Sequence, residues 1–158
     1  MADAISLGEM TPSDHSLELY SWVRRNKVEQ VRSLLETGMD MNILDDDGNT
    51  PLHIACLYGR PEIARLLLDA GADTEVHNRW GYTPLDWACL YQETDIVRLL
   101  LEHGADVNAQ DDYGRGPLDR IMIMQDDDPA REEILDLFRE FHPDLVMEAY
   151  CSQNPGVM

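Results

Sequence analysis

The sequence contains no long run of apolar residues, and no segment approaches the roughly 18–20 residues that a helix needs to cross a bilayer. Its first residues include acids and a proline, where a signal peptide would have a basic start and a long apolar core. These absences argue against a membrane protein and against secretion. They predict a cytoplasmic location.

Positive charge is also scarce, because 12 lysines and arginines stand against 31 aspartates and glutamates, for a net charge of −19. Binding to nucleic acid or to an anionic membrane surface depends on a basic footprint, so the composition predicts neither. The excess of acid fits a basic protein partner, but it also keeps a protein soluble and free of self-association. The charge leaves both explanations open, and we expect a monomer.

Cysteine is rare, with three residues in the chain. Cys56 and Cys89 are too far apart for a C-x-x-C metal or redox motif, so we expect both in the core, where buried thiols behave as small apolar groups. Cys151 is expected to be a free thiol near the C-terminus.

A fixed period organises the rest of the chain. A Thr-Pro-Leu-His box at 50–53 returns as Thr-Pro-Leu-Asp at 83–86, 33 residues later, and as Gly-Pro-Leu-Asp at 116–119 after the same step. Threonine caps helices well and proline fits the first helical position, so each box predicts a helix start. A second apolar helix ends in each period at a glycine: Gly38, Gly71 and Gly104. Each period thus predicts a turn and two helices.

The period and its Thr-Pro-Leu-His box resemble the ankyrin repeat. The resemblance covers about residues 16–142 and implies an all-α ankyrin-repeat solenoid of about four helix-turn-helix repeats, with β-turn fingers and capping end repeats. We predict a flexible leader at 1–14, an ankyrin-repeat domain at 15–150 and a tail at 151–158. The predicted units of the domain are an N-terminal capping repeat at 15–44, full repeats at 45–77 and 78–110, and a C-terminal repeat at 111–150 with an inserted loop at 125–129.

Some positions depart from the repeat pattern. We expect the first helix to begin near Ser16, with Ser16 or Asp14 as its cap. Asn26 and Gln92 replace the helix-ending glycine found at Gly59, so both are expected in the left-handed conformation. Trp87 stands where an aliphatic residue is usual, and we expect it in the core.

The resemblance implies a non-catalytic protein–protein interaction module, an adaptor or inhibitor, whose partner lies on the concave face of fingers and first helices. Of the 18 contact positions that the family pattern maps onto this chain, five are aromatic, against 11 aromatic residues in all 158. Aromatic residues and arginine dominate binding hot spots. The predicted partner-binding residues are Leu57, Tyr58, Arg79, Trp80, Tyr82, Leu90, Tyr91, Tyr113 and Arg115. The other mapped positions are Leu44, Asp46, Asp47, Asn49, His77, Gln110, Asp112, Ile123 and Met124.

Other chemistry finds little support. No histidine has a nearby nucleophile or zinc spacing, so we predict no enzyme and no cofactor, with His53 holding adjacent turns together. The acidic runs 45–47 and 126–128 lack the alternation of a calcium loop, which leaves a metal or small-molecule binder as a remote alternative. The inserted loop 125–129 offers another alternative, an acidic contact for a basic partner.

The acidity predicts a salt dependence of stability. Since exposed like charges repel one another and salt screens them, we expect the melting temperature to rise between low and moderate NaCl. Calorimetry over this range checks the prediction, and a flat or falling melting temperature would contradict it.

Overall fold

A computed structural model describes residues 12–124 and 127–145. Within these ranges the chain forms eight α-helices: α1 Pro12–Arg24, α2 Val28–Glu36, α3 Pro51–Leu57, α4 Pro61–Asp69, α5 Pro84–Leu90, α6 Thr94–Glu102, α7 Pro117–Met122 and α8 Pro129–Phe141. The predicted leader 1–14 lies mostly outside the described residues. So do the tail 151–158 with Cys151 and two residues of the inserted loop.

The helices form two stacked rows. The first helices of the repeats, α1, α3, α5 and α7, pack side by side as an inner row, and α2, α4, α6 and α8 pack as an outer row. Helices this short are marginal alone, so their stability comes from burying apolar faces between neighbours. Cys56 and Cys89 lie in this core as free thiols, and Trp87 is buried with them. The predicted all-α solenoid is confirmed.

Helix starts follow the predicted capping with one change. Thr50 and Thr83 each accept a hydrogen bond from the backbone of the third helical residue, and a proline follows each of them. Gly116 has no side chain to accept, and its own N–H donates to Asp119 Oδ2 at 2.7 Å. A Cβ at Gly116 would lie 2.7 Å from the carbonyl oxygen of Ala109, so a threonine there would force the backbone to move.

The helix ends agree with the sequence predictions, but the start of the first helix does not. Asn26 and Gln92 have φ of 55° and 60°, and they are the two non-glycine residues with positive φ in the described ranges, as predicted. A left-handed residue other than glycine costs about 1–2 kcal/mol. The prediction that α1 begins near Ser16 is wrong, because the helix already begins at Pro12, a residue suited to the first turn.

Three fingers project from the inner row at residues 45–49, 78–82 and 111–115. In each finger the first residue, Asp45, Asn78 or Asp111, accepts hydrogen bonds from the N–H groups two and four residues later. The backbones of the first two fingers are joined, since Arg79 N–H donates to the Asp47 carbonyl at 2.9 Å. In the described part of the chain no hydrogen bond joins the second finger to the third.

In α1 and α3 one equivalent position connects the repeat to the next finger. The Tyr20 hydroxyl lies 2.8 Å from the carbonyl oxygen of Asn49 and also 2.8 Å from that of Ile43. One period later His53 Nε2 lies 2.9 Å from the carbonyl oxygen of Tyr82. Because the Thr50 N–H donates to His53 Nδ1 at 3.1 Å, the proton of the neutral ring sits on Nε2, which donates to Tyr82. His53 is therefore structural, as predicted.

Burial decides the charge state of these connecting side chains. Desolvation lowers the pKa of His53 from 6.5 to about 4, although the hydrogen bond to the Tyr82 carbonyl acts in the opposite direction. Burial likewise raises the pKa of Tyr20 far above its ordinary value, with a further rise from the nearby charge of Asp45. Both groups are thus neutral donors at pH 7.

The lowered His53 pKa predicts acid sensitivity. Since the folded pKa lies below the unfolded one, the contribution of His53 to stability is present above about pH 6.5 and is lost as the pH falls to about 4. A shift of this size corresponds to roughly 3 kcal/mol. We expect a His53→Gln variant, which keeps a donor but does not titrate, to lose less free energy of unfolding than the wild type over this window. Urea titrations at a series of pH values measure this difference, and parallel pH profiles would contradict it.

Candidate functional site

Large apolar side chains are exposed along the fingers and the ends of the inner helices. Tyr58 and Tyr91 follow the last residues of α3 and α5, and Trp80 and Tyr113 occupy equivalent fingertip positions. Leu90 and Ile123 extend the row along the helix ends. We call this row the concave strip: Tyr58, Trp80, Leu90, Tyr91, Tyr113 and Ile123.

Several mapped positions do not belong to an open surface. Asn49 is 4% exposed, because its side chain bonds Asp45 and accepts from Asn78, so its assignment as a contact position is wrong. Tyr82 is half-buried and Leu57 packs against the core, so each offers only part of its side chain. Leu17, one of the apolar residues at helical spacing on α1, was not among the mapped contact positions and is 73% exposed.

The centre of the strip is an aromatic cluster of Trp80, Trp87 and Tyr91. The Trp87 ring lies 6.4 Å from that of Trp80 and 5.9 Å from that of Tyr91, centroid to centroid. Trp87 is buried and meets the His53 ring edge-on at 6.2 Å. The buried Trp87 ring therefore contacts two half-exposed rings, one from a finger and one from a helix end.

The two predicted binding arginines are exposed but held by acids of the fingers. Arg79 donates through Nη2 to the Asp46 carbonyl and pairs with Asp47 at 3.5 Å between Nη1 and Oδ1. Arg115 pairs with Asp111 at 3.2 Å, and its guanidinium lies 5.0 Å from the centroid of the Tyr113 ring. The Arg79–Asp47 pair is exposed on both sides and such pairs are weak, so Arg79 can exchange Asp47 for a ligand's group, whereas the partner of Arg115 is a buried carboxylate.

A buried ion network beneath the strip was missed by sequence reasoning. Arg120 on α7 is 5% exposed, and its Nη2 lies 2.7 Å from Asp111 Oδ2 while its Nε lies 3.5 Å from Asp86 Oδ1. Its guanidinium also lies 4.4 Å from the centroid of the Tyr82 ring. The network thus joins α5, α7 and the third finger.

The network occupies the place of the connecting hydrogen bond. Asp86 stands one period after His53, and its carboxylate accepts from Thr83 N–H at 2.9 Å and has no proton to give to the next finger. Arg120 Nη2 instead donates to the Asp111 carboxylate of the third finger at 2.7 Å. Two departures from the repeat pattern together could have indicated this network. An aspartate stands at the position of His53, and an arginine stands at a position that holds Ile54 and Trp87 in the preceding repeats.

The carboxyl groups of the network respond differently to burial. Burial raises the pKa of Asp86, against the opposing effects of its Thr83 hydrogen bonds and of the Arg120 charge. Burial also acts to raise the pKa of Asp111, but hydrogen bonds from Arg120 and from the backbone of Arg115 and Tyr113 outweigh it and hold this pKa well below its usual range. Asp111 therefore stays charged and keeps Arg120 paired.

Other kinds of site are poorly represented in the described ranges. No group of three or more His, Cys, Asp or Glu side chains there is arranged to hold a metal ion, and none of the helices there has the length and apolar character to cross a membrane. A groove of about 390 Å³ separates Leu17, Arg24 and Arg25 from the acids at 45–47.

Comparison with known proteins agrees with this architecture. A profile of ankyrin repeats in three copies matches residues 19–111, which is more than half of the chain. The chain therefore belongs to the ankyrin-repeat family. Over 49 residues it is also 35% identical to a protein of Fowlpox virus (strain NVSL) named as an ankyrin repeat protein, a match that covers 31% of this chain and 35% of the viral one. Ankyrin repeats are generally protein–protein interaction modules and generally non-catalytic.

The buried network makes a stability prediction. Removing Arg120 leaves two carboxylates buried without their main partner, and breaking a buried ion pair in this way costs about 3–5 kcal/mol. We expect Arg120→Leu to lower the free energy of unfolding by about this amount, measured by urea titration. Adding Asp86→Asn removes one of the stranded charges and should restore part of the loss. Additive losses in the double variant would contradict the role of the network.

Proposed function

We propose that the protein binds a protein partner along its concave strip and acts without catalysis, as an adaptor or inhibitor. The observation that carries the proposal is the aromatic cluster. In it Trp80 and Tyr91 are about half exposed, and both rings pack on the buried Trp87. Large aromatic side chains held rigidly bury much area on binding and lose little conformational entropy, so they are typical hot-spot residues.

The surroundings of the cluster support the same face. Tyr58, Leu90, Tyr113 and Ile123 keep large apolar surfaces in contact with solvent along the same row. Exposed apolar rows of this kind are uncommon on proteins that need only remain soluble, and they mark interaction sites. Arg79 and Arg115 add polar groups at the edge of the strip, where they supply orientation.

The net charge of −19 favours a basic partner. Long-range attraction steers such a partner toward the strip and raises its association rate at low ionic strength. We expect the protein to bind as a monomer in the cytosol, through the repeats predicted at 15–150. The inserted acidic loop carries no separate proposal, because Asp128 caps α8 through Ala130 N–H and accepts from Gln92 at 2.9 Å.

Capture of the partner from a lysate of the source cell tests the proposal. We expect the wild type to retain a protein that a Trp80→Ala/Tyr91→Ala variant releases, since truncating two hot-spot aromatics costs about 2 kcal/mol or more each. Mass spectrometry identifies the retained protein. Titration calorimetry with the purified partner then measures the affinity of each variant.

An Arg65→Ala/Glu102→Ala variant is the matched control, since both residues are exposed on the outer helices α4 and α6. It should retain the partner. Thermal unfolding of both variants establishes that they are folded. If the aromatic variant is folded and keeps the partner at wild-type affinity, the concave strip is not the binding site.

A further inference from the structure

The aromatic cluster lacks a cation of its own, although other rings of the protein have one. All twelve lysines and arginines fall within the described ranges, and two of them lie over aromatic rings, Arg115 over Tyr113 and Arg120 over Tyr82. Among the described residues no lysine or arginine lies over Trp80, Trp87 or Tyr91. Trp80 and Tyr91, which are about half exposed, therefore have no cation over their rings.

The repeat register explains this difference. Trp80 and Tyr113 occupy equivalent fingertip positions, and Arg115, two residues after Tyr113, covers the Tyr113 ring. The residue two positions after Trp80 is Tyr82, so the second finger has no arginine at the matching place. The neighbouring Arg79 points its guanidinium at the first finger, where it bonds Asp46 and Asp47.

The three rings of the cluster meet at Trp87. Trp80 and Tyr91 each pack on Trp87, and in the described residues their rings do not pack on each other. The two half-exposed rings thus both lie beside the buried indole of Trp87. His53, which meets Trp87 edge-on, is a neutral ring whose Nδ1 accepts a hydrogen bond, so it supplies no positive charge.

Aromatic faces attract cations through their quadrupole when the cation lies within about 6 Å of the ring centroid, and tryptophan does so best. The attraction is worth roughly twofold to thirtyfold in affinity, more where the contact is dry. A net charge of −19 adds long-range attraction for any cationic group. Both effects select the same ligand chemistry.

We propose that the aromatic cluster receives the side-chain cation of a basic segment of the partner, with arginine preferred. A guanidinium is planar and weakly hydrated, so it stacks on indole and phenol faces better than an ammonium does. The proposal rests on the proposed function of the concave strip and specifies what the partner places at its centre.

A short synthetic peptide of alternating glycine and arginine is the probe, and a peptide with citrulline in place of arginine is its neutral control. The chain has three tryptophans, so its NMR spectrum shows three indole N–H signals, and Trp22 on α1 serves as an internal reference. We expect the arginine peptide to shift the signals of Trp80 and Trp87 saturably at about physiological ionic strength, with Trp22 unmoved. The citrulline peptide should shift none of them.

A Trp80→Leu variant should bind the arginine peptide about tenfold more weakly, followed by the Trp87 signal. The Arg65→Ala/Glu102→Ala variant, whose two changes lie on the outer helices and leave the net charge the same, should leave the affinity unchanged. An equal response to citrulline, equal shifts at Trp22, or no shift at all would overturn the proposal, and none of these results depends on a variant.

The two proposals fail in different ways. If the Trp80→Ala/Tyr91→Ala variant releases the captured partner while the arginine peptide leaves Trp80 and Trp87 unmoved, the strip binds its partner without a stacked cation. If that variant also keeps the partner, the concave strip itself is not the site.

Discussion

The hydrogen bonds that the first two inner helices give to the next finger are the constraint on which the concave surface depends. The carbonyl at the end of each of these fingers accepts from the N–H of the finger's own first residue, and Tyr20 and His53 supply a second donor from equivalent positions. Because that donor is on the preceding repeat, each finger is located by its neighbour rather than by its own turn alone. Trp80 is positioned by the hydrogen bond between His53 and the Tyr82 carbonyl, at the end of the same finger, and by its contact with the Trp87 ring.

Between the second and third repeats an ion network takes over this role. Asp86 cannot donate, and Arg120 joins Asp86 to Asp111 while covering Tyr82. The exchange replaces one neutral hydrogen bond with charged groups whose burial is costly unless all are paired. Arg120 also covers one face of the half-buried Tyr82 ring, whereas the Trp80 and Tyr91 rings remain about half exposed.

Much of the fold was predictable because its signals are local and periodic. The boxes that begin helices, the left-handed Asn26 and Gln92, and the burial of Trp87 each follow from a residue type at a fixed place in the repeat. The exposed rings Trp80 and Tyr91 were also expected. The burial of Asn49 and the network around Arg120 were not predicted from sequence, because their environment is set by a residue one repeat away that no local pattern specifies.

The three fingers are not joined to one another in the same way. The first two share a backbone hydrogen bond and the contacts of Arg79, whereas the third is held to the second repeat mainly from below, through Arg120. The second and third fingers are thus joined through side chains beneath them and not through their backbones. A partner that contacts Trp80 and Tyr113 together spans two fingers whose connection includes the charged side chain of Arg120.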